Sequence, residues 1–287
     1  MAMSTLSGLA AVAQAQSPEQ LPTLRSKEDN GWGVVLAQSL LNDCDVLETP
    51  LKADGKWGAM TLAAVKKLQK KTGLVPDGIV GPNTWAKLFA DGRCRYVVKF
   101  KHPKWSDTTR KSNSPLYESD VQIIKYDRYG PHLEKSVSGS LKCDYSALNK
   151  KRVGVVEALK EHGVISNGSY ELNLGFHKRP SDGAKPTADD LKVKTTGKLR
   201  PCLVVNRDNA IPCFSKKTGK TTSNFIHVHN GFVNGRDSSG CPTIKAGQWS
   251  EFVSFFIAKH KTVEDWFTAD QLKYYGKSVG VLVISDK

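Results

Sequence analysis

A short motif, Asp-Gly-x-x-Gly-x-x-Thr, occurs twice in the first third of the chain and limits what this segment can fold into. The first copy occupies residues 54–61, and the second occupies residues 77–84, 23 residues later. Glycine adopts the positive φ angles that tight turns need, and aspartate hydrogen-bonds to the backbone of such turns. Each copy is therefore predicted to be a turn that leads into a helix.

Helices are predicted on both sides of these turns. An apolar run over residues 34–41 precedes the first turn, and leucine and valine recur at helical spacing over residues 62–68, with lysines between them. Pro82 stands at an early helical position after the second turn and is followed by Trp85. The sequence therefore predicts a small domain of three helices.

This segment, about residues 31–90, resembles the peptidoglycan-binding domain found beside many wall hydrolases. The resemblance implies that the segment holds glycan strands or stem peptides without cutting them. The residues that match the family's pattern lie at 54–61, 64–65, 68–69, 73–74 and 77–85. Among them, the candidate wall-binding residues are Asp54, Trp57, Asp77 and Trp85. A packing role alone remains open for each of these four.

A histidine and a cysteine stand close together in the second half of the chain. A β-prone run ends at His229, and Ser238-Ser239-Gly240-Cys241-Pro242 follows. A cysteine attacks carbonyl groups as a thiolate, and a neighbouring imidazole removes its proton or stabilises the anion. Gly240 allows close approach of the backbone to a substrate, and Pro242 stiffens the turn. Cys241 is therefore the candidate nucleophile, and His229 is the candidate base.

The order His229, then Ser238-x-Gly240-Cys241, resembles the L,D-transpeptidase signature, and the resemblance covers roughly residues 150–285. It implies that Cys241 is the nucleophile, His229 the base, Gly240 the small neighbour and Ser238 the serine of the motif. The family pattern usually has arginine two places after the cysteine, where this chain has Thr243. This departure favours hydrolysis over crosslinking.

A longer match resembles the branch of such domains found in phage lysis proteins and wall-degrading toxins. It adds the residues Gly168, Tyr170, Gly175, His177, Arg207, Asp208, Gln248, Trp249 and Phe252. His177 is either a second acid or base or a structural histidine, and the aromatic residues of this set are predicted to lie in the core. With the wall-binding segment, the chain resembles an endolysin, which is made in the host cytoplasm and acts on periplasmic peptidoglycan.

Two other chemistries and one function of another class remain open. A muramidase needs one carboxyl group that donates a proton and a second carboxylate, and Glu171 and Asp237 are the nearest candidates. His227, His229 and Cys241 together could bind zinc, but no carboxylate base stands at a recognisable spacing. We therefore expect neither a metal nor another cofactor. The function of another class is that of a wall-binding protein that catalyses no reaction.

The net charge of the chain indicates the kind of partner that it binds. The chain has 42 Lys+Arg and 28 Asp+Glu, a net charge of +14, which favours a polyanion such as an anionic envelope surface. No helix-turn-helix pattern is evident, so nucleic acid is not expected. No apolar run approaches the roughly 18 residues of a membrane span. Residues 1–17 are small and apolar but contain no Lys or Arg, which argues against a cleaved signal peptide.

The sequence thus predicts an α+β protein. It consists of a leader or linker (1–30), a three-helix peptidoglycan-binding domain (31–92) and a mostly β, L,D-transpeptidase-like catalytic domain (93–287), in which 93–150 is either linker or early strands. Strands are predicted at 96–100, 121–126 and 279–284, and helices at 153–161 and 269–275. We expect a monomer.

Overall fold

The computed structural model describes residues 19–26, 29, 31–102, 117–141, 164–177, 200–206, 210–215, 219–223, 226–231, 241–257 and 276–286. Three helices come first: α1 (Trp32–Leu41), α2 (Ala59–Lys71) and α3 (Pro82–Leu88). We call residues 31–92 the helical region. A fourth helix, α4 (Trp249–Ser254), lies near the C-terminus between 3-10 turns at Ala246–Gln248 and Phe255–Ile257.

Eleven strands are present in the described residues. They are β1 (Arg95–His102), β2 (Ser119–Asp127), β3 (Gly130–Ser140), β4 (Val164–Ile165), β5 (Gly168–His177), β6 (Arg200–Val205), β7 (Ile211–Ser215), β8 (Gly219–Ser223), β9 (His227–Asn230), β10 (Thr243–Ile244) and β11 (Ser278–Asp286). Eight of them close a barrel in the order β1-β11-β5-β6-β9-β10-β3-β2. Strands β4, β7 and β8 form a separate three-stranded sheet.

Two pairs of strands in the barrel are parallel, β1 with β11 and β9 with β10, and the other neighbours are antiparallel. Side chains alternate between the inside and the outside of a closed barrel. The inside is filled by an apolar cluster that includes Val98, Leu172, Leu203, Val228 and Leu282. Helix α4 adds Trp249 and Phe252 to this cluster.

A second apolar cluster joins the helical region to the outside of the barrel. It contains the buried side chains of α1, α2 and α3 together with Val97 from β1, Ile124 and Tyr126 from β2, and Val281 from β11. The rings of Trp32 and Tyr126 lie 5.3 Å apart. The helical region and the barrel therefore share a hydrophobic core, and their separation would expose apolar surface.

Polar side chains also cross this contact between α1 and strands β1, β5 and β11, which we call the junction. Ser39 Oγ on α1 lies 2.7 Å from Ser278 Oγ on β11. Arg95 Nε donates a hydrogen bond of 3.0 Å to Ser39 Oγ, and the Arg95 guanidinium forms an ion pair with Asp43. The junction thus combines packing with directional hydrogen bonds, which fix one relative orientation.

The structure confirms the predicted α+β class and the predicted strands at 96–100, 121–126 and 279–284. Tyr170, Trp249 and Phe252 are buried, as expected for core residues. The predicted helices at 153–161 and 269–275, and the leader at 1–17, lie outside the described residues. Within the described residues, no helix has the length and hydropathy needed to cross a membrane.

Candidate active site

The two Asp-Gly turns are built in the same way, each around a buried glutamine. The Gln38 amide nitrogen lies 3.2 Å from Asp54 Oδ1, 3.1 Å from the Lys56 carbonyl oxygen and 3.1 Å from Thr61 Oγ1. The N–H of Gly55 donates a hydrogen bond of 2.9 Å to Gln38 Oε1. One side chain of α1 therefore satisfies polar groups from the whole first turn.

Gln69 on α2 repeats this arrangement in the second turn. Its amide nitrogen lies 2.8 Å from Asp77 Oδ1, 2.9 Å from the Ile79 carbonyl oxygen and 3.2 Å from Thr84 Oγ1. The N–H of Gly78 donates a hydrogen bond of 2.8 Å to Gln69 Oε1. The repeat is therefore one structural unit used twice, an Asp-Gly turn folded over a glutamine from the preceding helix.

The four candidate wall-binding residues all have structural roles in these units. Asp54 and Asp77 each accept a hydrogen bond within their own turn. The hydrogen bond from the Ile79 N–H, followed by that from Gln69, lowers the pKa of Asp77. Trp57 and Trp85 are 4 % and 3 % exposed, so their rings pack inside the helical region.

The candidate nucleophile and base lie on neighbouring parallel strands. His229 on β9 is paired with Thr243 on β10, and the His229 N–H donates a hydrogen bond of 3.2 Å to the Pro242 carbonyl oxygen. This register places Cys241 opposite His227, whose N–H donates to Cys241 Sγ over 3.5 Å. Cys241 thus lies beside the strand that bears both histidines, and the contact of its sulfur that is described there is with the His227 backbone.

The orientation of His229 is set by its own strand. Val228 belongs to the cluster inside the barrel, so His227 and His229, the residues on either side of it, face outward. His229 Nδ1 lies 2.9 Å from the Asn230 carbonyl oxygen. A carbonyl accepts but does not donate, so this contact assigns the proton of the neutral imidazole to Nδ1 and the lone pair to Nε2. Nε2 is then the basic atom.

The side chains of Cys241 and His229 are buried rather than open to solvent. Each is 7 % exposed, and Cys241 packs against the cluster inside the barrel. Three other predicted site residues, Ser238, Gly240 and Asp237, lie outside the described residues. The backbone of His177 ends β5 opposite Arg200, and its side chain lies outside the described part.

Two further cysteines lie close enough to Cys241 to interact with it electrostatically. Burial raises the pKa of the Cys202 thiol well above its ordinary value, and burial raises the pKa of Cys213 to about 11. The charge of a Cys241 thiolate would raise both pKa values further. Both groups therefore remain thiols at neutral pH and do not compete with Cys241 as nucleophiles.

The candidate acid Glu171 lies on the outer face of β5, at the junction. Tyr170 and Leu172 on either side of it belong to the inner cluster, so the Glu171 side chain faces outward like that of His229. Two strand spacings, about 10 Å, separate β5 from β9. Burial raises the pKa of the Glu171 carboxyl group, while a hydrogen bond from Ser278 opposes this shift. The structure does not bring Glu171 together with His229.

The described residues also bear on the zinc alternative. Among them, no three His, Cys, Asp or Glu side chains form a group that could hold a metal ion. His227, His229 and Cys241, all of which are described, therefore do not form such a group.

These features define an α+β protein. A helical region built on two glutamine-centred turns packs on a closed barrel, and the barrel carries a cysteine beside β9, the strand that bears two histidines. A family model for the putative peptidoglycan binding domain matches residues 30–88. An uncharacterized protein of Kitasatospora aureofaciens is 46 % identical over 81 residues, which are 26 % of this chain and 68 % of that protein. The chain belongs to the family of proteins that carry this putative peptidoglycan-binding domain.

Other similarities are more limited. The N-acetylmuramoyl-L-alanine amidase CwlL of Bacillus licheniformis is 35 % identical over 102 residues, which are 36 % of this chain and 26 % of CwlL. This chain therefore spans about a quarter of that relative's length.

Two solved structures align over most of the chain. One is a fused Zn-dependent amidase/peptidase/peptidoglycan-binding domain-containing protein from Clostridium acetobutylicum, with 11 % identity, a TM-score of 0.24 and coverage of 92 % of this chain and 99 % of that one. The other is an L,D-transpeptidase from Stackebrandtia nassauensis, with 10 % identity, a TM-score of 0.24 and coverage of 91 % and 94 %. At this TM-score, neither structure defines the fold of the barrel.

Proposed function

We propose that this protein binds bacterial peptidoglycan through its helical region and cleaves the peptide stem, with Cys241 as the nucleophile and His229 as the base. The observation that supports the proposal is the parallel register of β9 and β10, because Cys241 precedes β10 and His229 lies on β9. The contact of His229 Nδ1 with the Asn230 carbonyl supports the same role, because it leaves Nε2 as the proton acceptor.

The proposed reaction has two halves. His229 Nε2 takes the proton of the Cys241 thiol, and the thiolate attacks an amide carbonyl of the stem to form a C–S bond. The C–N bond then breaks, and the leaving amine takes the proton back from the imidazolium. Water, activated by the same imidazole, hydrolyses the thioester and restores the thiol.

The burial of Cys241 has two opposing effects on the formation of its thiolate. Removal from water disfavours a bare thiolate, because the charged form loses its hydration. An imidazolium partner and the hydrogen bond from the His227 N–H oppose this cost, and both interactions are stronger in surroundings of low dielectric constant. The reactive form in this proposal is therefore a thiolate–imidazolium pair.

The proposal also includes the cellular compartments in which the protein is made and acts. A protein of this kind, resembling an endolysin, would be made in a host cytoplasm and would act on the wall in the periplasm. The net charge of +14 supports attraction to anionic envelope surfaces on the way to the wall.

A muramidase is the second candidate function, and one observation favours it. The Glu171 carboxyl group is partly buried and its pKa is raised by that burial, as expected of a group that keeps a proton to donate to a glycosidic oxygen. The second carboxylate in this alternative is Asp237, which lies outside the described residues.

Digestion of purified peptidoglycan tests both candidates. The wild-type chain is compared with Cys241→Ala, His229→Ala and Glu171→Gln. Cys94→Ala serves as a matched control, because Cys94 lies in the segment between the helical region and β1. New amino groups and shortened stems are measured beside new reducing sugars. Stem cleavage by a thiol predicts a loss of at least about 10³-fold for Cys241→Ala and no loss for Cys94→Ala.

Other outcomes identify the alternatives. Reducing sugars that persist in Cys241→Ala and disappear in Glu171→Gln would support the muramidase. A wild-type chain that pellets with peptidoglycan and releases neither product would be a wall-binding protein without catalysis.

A further inference from the structure

Residues 19–24, which precede α1, contact both the barrel and the helical region, and we call them the strap. At its first residue, the strap is attached to the barrel. Lys99 Nζ on β1 lies 2.6 Å from the Glu19 carboxylate, and the Tyr126 hydroxyl on β2 donates a hydrogen bond of 2.6 Å to the Glu19 carbonyl oxygen. Burial, followed by the charge of Glu19, raises the pKa of Tyr126, so the phenol keeps its proton and is the donor.

The other end of the strap is attached to the helical region. Leu24 and Val80 exchange two backbone hydrogen bonds, of 3.2 and 2.8 Å, and both side chains are buried. Between the two ends, Trp85 Nε1 on α3 donates a hydrogen bond of 2.8 Å to the Pro22 carbonyl oxygen. A Cβ atom built on Gly33 of α1 would lie 2.5 Å from Pro22 Cγ, so the strap passes α1 at a distance that only glycine allows.

The two attachments differ in kind, and the barrel end is the weaker one. The Glu19 side chain is 58 % exposed, so water competes for its carboxylate, and exposed ion pairs contribute little to stability. At the helical end, Leu24 loses its apolar contacts and its backbone hydrogen bonds together if it leaves. We therefore expect the strap to detach first at Glu19, while Leu24 stays in place.

Two physical effects make the attached strap hold the barrel and the helical region together. Five residue steps separate Glu19 from Leu24, and an extended chain of this length reaches at most about 18 Å, which limits how far the two attachment points can move apart. The Lys99 side chain is only 13 % exposed, and its ammonium group lies 5.6 Å from the centre of the Trp32 ring. Among the described residues, Glu19 is the acid that pairs with Lys99, and a largely buried cation without its partner is costly.

We propose that the strap controls the opening of the junction: while Glu19 is attached, it keeps the helical region closed on the barrel, and detachment of Glu19 lets the junction open more often. The apolar cluster shared by the two parts remains after detachment, so both parts stay folded. The inference does not depend on the proposed function, because it involves no reacting group. With the helical region bound to the wall, as proposed, the strap also fixes the orientation of the barrel relative to the wall.

The experiment measures opening of the junction in the full chain with a reporter thiol. Val97→Cys introduces this thiol on the outer face of β1, where the side chain of Val97 is fully buried in the cluster shared with the helical region. Alkylation by iodoacetamide is followed by mass spectrometry of each cysteine. The native Cys202 is also fully buried and reports unfolding of the barrel in the same sample. Val281→Cys on β11 provides a second reporter if Val97→Cys does not fold.

Two substitutions detach the barrel end of the strap without removing it. Glu19→Gln removes the charge that pairs with Lys99, and Tyr126→Phe removes the hydrogen bond but keeps the ring. We expect each to raise the alkylation rate of the reporter about 5-fold, as for the loss of one polar interaction, with the rate at Cys202 unchanged. Glu48→Gln breaks an exposed ion pair within the helical region and is the matched control, which should change neither rate.

Two results would overturn the inference. An unchanged alkylation rate of the reporter in either variant would show that the attachment of Glu19 does not keep the junction closed. Equal increases at the reporter and at Cys202 would show a loss of global stability instead of opening of the junction. The proposed function is tested separately by digestion of peptidoglycan with Cys241→Ala, so the failure of one does not imply the failure of the other.

Discussion

The hydroxyl groups of Ser39 and Ser278 lie 2.7 Å apart, although the two residues are 239 positions apart in the chain. Ser39 accepts a hydrogen bond from Arg95, and Ser278 donates one to the Glu171 carboxyl group. Glu171 therefore ends a chain of polar contacts that runs through the junction, with the Arg95–Asp43 ion pair beside it.

This arrangement predicts a pH dependence of stability. Because burial raises the pKa of Glu171 in the folded protein, its contribution to stability is complete below the ordinary value of 4.5 and is lost as the pH rises through the raised value. We expect the free energy of unfolding of the wild-type chain to decline over this interval. Glu171→Gln, which carries no charge, should lack this part of the decline. Urea unfolding at a series of pH values measures it.

Glu48→Gln is the control for this prediction, because the Glu48 side chain is fully in solvent. It should reproduce the wild-type pH profile. Equal profiles for the wild-type chain and Glu171→Gln would show that the Glu171 carboxyl group does not titrate differently in the folded protein.

Replacement of the central glutamines should destabilise the helical region. Gln38→Ala and Gln69→Ala each leave several buried polar groups of one turn without their partner, at an expected cost of about 2–3 kcal/mol. Lys70→Ala, at an exposed position next to Gln69 on α2, should change the free energy of unfolding by less than about 0.5 kcal/mol. A loss below about 0.5 kcal/mol in either glutamine variant would contradict the role of the turn centres.

Substitution of the buried tryptophans should separate stability from wall binding. Trp57→Phe and Trp85→Phe remove core volume and are expected to cost about 1–3 kcal/mol. Below the unfolding transition, both variants should pellet with purified peptidoglycan as well as the wild-type chain does. Weaker pelleting with unchanged stability would instead show that these rings contact the wall.

The net charge of +14 predicts a salt dependence of lysis. Long-range attraction to an anionic envelope is screened within about 10 Å at 0.1 M salt, so lysis of whole cells should slow as NaCl rises from about 10 to about 200 mM. Cleavage of soluble disaccharide-peptides serves as the comparison and should respond less. A flat salt dependence of cell lysis would remove this role from the charge.

Much of the fold could be predicted from the sequence, but the shared core could not. β-branched and aromatic residues over 96–100 and 121–126 identify strands. Val97 and Ile124 are buried by the helical region, and Val98 by the inside of the barrel, yet all three look alike in sequence. A strand buried on both faces reads as an apolar run, which does not reveal what covers each face.

Only part of the arrangement around Cys241 could be predicted, because sequence order does not reveal how neighbouring strands are aligned. The order of His229 and Cys241 in a motif predicts their proximity, whereas the contact between Cys241 and the His227 N–H depends on the register of β9 and β10. The shared role of Gln38 and Gln69 was not predicted, although Gln69 is among the residues that match the family's pattern. They precede their aspartates by 16 and 8 residues, so only the turns repeat at a constant offset.

Under the proposed function, the packing of Val97 and Val281 against the helical region has a consequence for how the protein acts on insoluble peptidoglycan. A catalytic part on a loose linker samples every bond within the linker's reach. In this protein the helical region and the barrel pack against each other through apolar side chains. We therefore expect Cys241 to reach only those bonds that lie at one fixed distance from the place where the helical region binds the wall. Cleavage of each further bond would then require the whole protein to dissociate from the peptidoglycan and bind again at another position.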